Sequence, residues 1–201
     1  MTMASSLRRA TLPRPKRLAN RWRGSLQAMD LGAVLRRIAA HLEEEKQPFA
    51  LVGALALAAL GQPRATLDLD LLISADAQET VVELMESLGY ETLHRSTGYS
   101  NHLHEDPAWG RVDFVYVRGA TREKIFSTAR RVAGPDGVPV LVPRPEHLAA
   151  MKILAVKNDP GRKHQELADI ARLLELPGVD RDEVRGYFEE HDLGDLWHEI
   201  A

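Results

Sequence analysis

Cysteine is absent from the 201-residue chain. That excludes a disulfide framework and thiolate metal sites, fits a reducing compartment, and leaves any metal to histidine and carboxylate ligands. Long apolar runs are absent too. The longest candidate, Phe49 to Leu60, is cut short by Gly61 and Pro63 and falls below the ~18 residues needed to cross a bilayer, so the expectation is a soluble, cytoplasmic protein with no membrane partner. Acids are missing from residues 1–29, which hold Arg8, Arg9, Arg14, Lys16, Arg17, Arg21 and Arg23 and leave the rest of the chain near −10. This basic arm reads as a disordered tail. A nucleic-acid-binding arm, an organellar presequence or a mis-assigned start with Met29 as the true one are its alternatives.

What is present divides into three parts: the arm (1–29), an α/β core (30–143) and a helical C-terminal part (144–201). Apolar positions at helical spacing predict a helix from Asp30 to Lys46, stopped by Pro48. A buried strand, Phe49 to Val52, then runs into Gly53 and a short helix, Ala54 to Leu60. Helix 77–88, weak strands 90–94 and 102–104, a strong strand 111–117, a mixed stretch 119–137 and a strand at 138–143 follow. Helices are expected near 145–157, 163–175 and 180–190, with Asp159, Asp180 and Asp182 as boundary acids.

The segment Leu67-Asp68-Leu69-Asp70-Leu71 puts two carboxylates on one face of a strand and leucines on the other. An ordinary half-exposed strand is written the same way. The neighbours favour chemistry. Gly53 opens a helix whose unpaired N–H groups suit a phosphate, and a third acid, Asp113, lies in the later strand "RVDFVYV". Three carboxylates on neighbouring strands suit a pair of Mg²⁺ ions, with Mn²⁺ as the alternative, that clamp a triphosphate for in-line attack by a hydroxyl. Asp113 is the natural base or orienting ligand.

The stretch "LVGALALAALGQPRATLDLDLLI" resembles the DNA polymerase β-like nucleotidyltransferase superfamily, and more narrowly its AbiEii-like, toxin-type branch, with Arg64, Thr66, Asp68 and Asp70 in matching order. The helical segment "PEHLAAMKILAVKNDPGRKHQELADIARLL" is similar to the family's Lys-bearing helices, with Lys152, Lys163, Asp169 and Ile170 matched. The resemblance spans about residues 48–175. It implies a nucleotidyltransferase fold, an α/β (α+β) mixed sheet flanked by helices with a helical C-terminal part. It also implies Mg²⁺-dependent transfer of an NMP from an NTP to RNA such as a tRNA 3′ end, a protein hydroxyl or a small molecule. Asp68, Asp70 and Asp113 would be metal ligands and catalytic acids. Gly53, Ala54, Arg64, Thr66, Lys152, Lys163 and Asp169 would form the nucleotide site.

The resemblance has two departures. Ala54 stands where the family has Gly or Ser, removing a hydroxyl but keeping the backbone N–H, and His164 replaces an acid after Lys163. A catalytically weak binding protein paired with a cognate antitoxin or regulatory partner, and a nucleic-acid-binding module using the arm, are the rival readings. Plainer roles also stand beside these. Lys152 reads equally as a snorkelling lysine, Arg64 and Thr66 as loop-fixing residues, Asp169 as a solvated acid, and His102 and His104 as exposed loop histidines rather than zinc ligands.

Overall fold

The computed structural model describes residues 30–200; the basic arm lies outside the described residues. Asp30 caps the first helix by accepting from Ala33 N at 2.9 Å, and α1 (Leu31–Glu44) buries Val34, Leu35, Ile38, Ala39 and Leu42 along one stripe. The chain then enters β1 (Phe49–Leu51), three residues buried on both faces. A short helix α2 (Gly53–Ala59) leads to β2 (Asp68–Ser74). Ser74 accepts from Asp76 N to start a 3-10 turn that runs into α3 (Gln78–Ser87). The hairpin β3 (Tyr90–Arg95) and β4 (Tyr99–His104), bulged between Thr92 and His94, precedes β5 (Arg111–Val117).

Two elements lie in the stretch expected to be mixed: α4 (Gly119–Thr128) and the edge strand β6 (Arg130–Ala133). Neither carries a sequence pattern. Helix α4 buries Ile125 alone, and β6 exposes all its residues but one partly buried valine. Strand β4 also starts earlier than its weak alternation suggests. Strand β7 (Pro139–Val142) completes a seven-stranded mixed sheet in the order β3-β4-β5-β2-β1-β7-β6. Helices α5 (Pro145–Asn158), α6 (Lys163–Leu174), α7 (Arg181–Glu190) and the single turn α8 (Gly194–Trp197) follow. Asp159 and Asp180 cap as expected, accepting from Gly161 N and Glu183 N, and Asp182 lies in the first turn of α7. Buried Glu146 accepts from Asp180 N at 2.9 Å and from Arg144 Nε at 3.1 Å, fastening α7 to the start of α5.

The register between β2 and β5 organises the sheet. The two strands are parallel, with Leu69 beside Val112, Asp70 beside Asp113 and Leu71 beside Phe114. Leu69, Leu71, Ile73, Val112 and Phe114 are fully buried on one face, and a slip by one residue would turn all of them outward. Each fully buried side chain of this size contributes about 1.5–3 kcal/mol, so the register is fixed by the core and the acids follow it.

That core face holds one neutral polar chain. His102 is buried, with Nδ1 3.2 Å from Thr92 Oγ1 and Nε2 2.8 Å from Ser100 Oγ, and Ser100 Oγ is 2.5 Å from Tyr116 O–H. Thr92 donates its one proton to Glu86 at 2.9 Å. Its oxygen therefore accepts from Nδ1–H of His102, and Nε2 accepts from Ser100. Burial pushes the imidazole down to about 4, with Asp113 and Glu86 opposing. A lowered base contributes stability above the unfolded value near 6.5 that is lost as pH falls to about 4. His102→Gln should therefore lose less stability than the parent, or gain more, as pH falls between those limits. Urea melts of both proteins at pH 7, 5.5 and 4 check this; parallel curves would contradict it.

Candidate active site

The side-by-side register of Asp70 and Asp113, with Asp68 two residues before Asp70 on the same face, brings the three expected acids to one end of the sheet. All three are partly exposed. The backbone of the β1–α2 turn lies against them: Val52 N donates to Asp70 O at 3.1 Å, and Gly53 has φ +58. A β-carbon on Gly53 would fall inside the van der Waals shell of Asp70 Oδ2. Glycine is thus required here twice, for its left-handed conformation and for its lack of a side chain. The next residue, Ala54, is buried, so the open part of the turn is Gly53. Thr66 Oγ1 accepts from Asp68 N at 3.2 Å and donates to Asp68 O at 3.3 Å, which sets the entry of β2.

Burial raises the Asp70 carboxyl to about 6, helped by Asp113 and Asp68 and opposed by Lys152 and Arg64. Asp68 is also raised, by burial and then by Asp113, against Arg111 and Arg64. Like charges in partial burial favour the proton, as expected for a cluster without a cation between its members.

Cations stand on two sides. From α5, Lys152 Nζ donates to Asp169 Oδ2 at 2.6 Å and to Glu166 Oε2 at 2.9 Å, and all three residues are buried. Arg64 Nε donates to the same Asp169 oxygen at 3.2 Å, and Arg162 pairs with Glu166 at 2.5 Å. Lys152 is therefore no snorkelling lysine and Asp169 no solvated acid. Lys163 Nζ donates to Glu199 at 2.7 Å. On the other side, Arg111 Nε sits 2.8 Å from Asp113 Oδ1 and 3.1 Å from Oδ2.

Glu166 and Arg111 were not among the expected site residues. The i, i+2 spacing of Arg111 and Asp113 on one strand face was the signal for the arginine. Glu166, three residues before Asp169 on α6, is separated from Lys152 by fourteen positions, and no local pattern announces that contact.

The donor set, carboxylates only, suits a hard divalent ion. Among the described residues no three histidines or acids are gathered as a ready metal cage, and Asp113 is engaged by Arg111. His102 belongs to the core network, and His104 Nδ1 accepts from Asp106 N at 2.9 Å while its ring stacks on Trp109.

No protein-family model matches the chain, and no curated protein matches it significantly. Solved structures do. The antibiotic-resistance factor ANT(2″)-Ia in solution is similar at a TM-score of 0.62 with 16% identity, over 85% of this chain and 98% of that one. Its crystal structure with adenylyl-2″-tobramycin gives 0.60 and 15%, over 80% and 95%. An antigenic nucleotidyltransferase-like protein from Paracoccidioides brasiliensis gives 0.51 and 18%, over 85% and 92%. The chain therefore has the nucleotidyltransferase fold. No described helix is long and apolar enough to cross a membrane.

The raised Asp70 carboxyl makes a prediction for the metal-free protein. An acid raised above its ordinary value contributes stability that is complete below about pH 4 and lost as pH rises through about 6. Asp70→Asn should therefore be more stable than the parent at pH 7.5, by on the order of 2–3 kcal/mol at most, and equal to it near pH 4. Thermal melts in EDTA at both pH values measure the difference. A variant less stable at pH 7.5 would make Asp70 a structural anchor instead.

Proposed function

We propose that the protein is a divalent-metal-dependent nucleotidyltransferase that moves an NMP from an NTP to a hydroxyl. The observation that carries this reading is the pairing of Asp70 with Asp113 across parallel strands, with Gly53 backbone seated on Asp70. Asp68, Asp70 and Asp113 would hold Mg²⁺ or Mn²⁺, which when bound neutralises phosphate charge and acidifies the attacking hydroxyl.

The chain's own residues do the rest. Gly53 lets the backbone approach a phosphate, and Lys152 and Arg64, fixed by Asp169, place positive charge beside Asp70. The acceptor oxygen bonds to the α-phosphorus, the bond to the bridging oxygen breaks, and pyrophosphate leaves with that electron pair. The hydroxyl proton passes to Asp113.

For the acceptor, a small molecule is favoured over RNA. The chain beyond residue 29 is near −10, which opposes a polyanion, and the ANT(2″)-Ia neighbour was crystallised with an adenylylated antibiotic. The AbiEii-like order of Arg64, Thr66, Asp68 and Asp70 keeps a cognate antitoxin among the partners to test. Purified protein with Mg²⁺ and each labelled NTP, offered an antibiotic panel, total RNA and lysate protein in parallel, should transfer label to the small-molecule fraction. Asp68→Asn and Asp113→Asn should each lower transfer at least about 100-fold while the fold, by circular dichroism, is retained. No nucleotide binding and no pyrophosphate release under any arm would overturn the assignment.

A further inference from the structure

Arg111 has a role that the reaction chemistry above does not use. Its Nε faces both oxygens of Asp113, at 2.8 and 3.1 Å, so its positively charged group occupies the place between the two oxygens that a bidentate cation would take. By register Arg111 lies beside Asp68, and its guanidinium is stabilised in its charged form first by the hydrogen bond to Asp113 and also by Asp68 and Asp70. Two further cations near the acids are committed elsewhere: Lys152 to Glu166 and Asp169, Arg64 to Asp169. Among the described residues, Arg111 is thus the cation that directly pairs an acid of the triad. Its side chain remains 42% exposed, on a strand whose backbone is fixed by both neighbours, so it can swing without unfolding anything.

We infer that Arg111 is a resident counter-ion that withholds Asp113 from free divalent ions and transfers to the phosphates of an arriving nucleotide. A free ion must break a charge-assisted pair and compete for the same acids that would otherwise take up the guanidinium. A metal–nucleotide complex brings that replacement, because its phosphates accept from the released Arg111. The consequence is ordered loading: metal and nucleotide bind cooperatively, and metal alone binds weakly. Arg111 is a positioning residue for Asp113 in one state and a phosphate ligand in the other.

The inference rests on the nucleotide-site reading, and one set of titrations separates the two. Wild type, Arg111→Gln and Arg111→Lys are titrated calorimetrically with MnCl₂ alone and with a non-hydrolysable NTP in MnCl₂. The expected result for Arg111→Gln is about tenfold tighter Mn²⁺ binding and weaker nucleotide binding, so that the cooperativity between the two disappears. Arg111→Lys, which keeps the charge without the fork, should fall between and guards against a folding defect in the glutamine variant. A purely structural arginine would instead weaken both ligands together with the melting temperature. Unchanged or weaker Mn²⁺ binding in folded Arg111→Gln, with the wild type still binding nucleotide, overturns this inference alone. A wild type that binds no nucleotide overturns both.

Discussion

Everything at the candidate site depends on one unfavourable arrangement: two carboxylates, Asp70 and Asp113, held opposite each other on adjacent parallel strands. Left to electrostatics, the pair would separate. It cannot, because the alternate residues of the same strands are the centre of the core, and moving the acids apart by one position would expose Leu69, Leu71, Val112 and Phe114. The apolar face therefore imposes the geometry that the polar face has to bear. Proton uptake by Asp70 is one relief of that repulsion, and Arg111 on Asp113 is another.

The C-terminal helices supply a third relief at longer range. Lys152 is a buried lysine, which would be costly alone, but Glu166 and Asp169 both accept from it, and Arg64 and Arg162 balance those acids in turn. Such a network is expensive to break because removing one member strands the others in low dielectric. It fixes where Lys152 and Arg64 place their charge relative to Asp70. Helices α5 and α6 thereby contribute to the electrostatics of acids that belong to strands β2 and β5.

Local physics made much of this legible in the sequence. Alternation announced β2 and the shared face of Asp68 and Asp70, the apolar run around Asp113 announced β5, and Asp159 and Asp180 announced helix boundaries. Elements without an apolar face stayed hidden: α4 buries Ile125 alone, and β6 exists because β7 offers it an edge. Partners also stayed hidden wherever they are set by tertiary packing. Nothing local says that Lys152 meets Glu166, or that Lys163, three residues before it, turns to Glu199. Arg111 lay in plain view at i−2 from Asp113, but an arginine on a half-exposed strand face has many ordinary uses, and its engagement of both carboxylate oxygens is a fact of geometry.

The two faces of the sheet formed by β4, β5 and β2 respond to acid in opposite directions for the same reason. Burial favours the neutral form of a group; for His102 the neutral form is the deprotonated one, and for Asp70 it is the protonated one. As pH falls from about 6 toward 4, the folded state loses the advantage of a neutral His102 and gains that of a neutral Asp70. The two slopes oppose each other over nearly the same window, so the two groups together contribute less variation across it than either does alone. A small combined pH dependence from this pair is then the balance of two buried titrations on opposite faces of one sheet, rather than evidence that neither face is electrostatically strained.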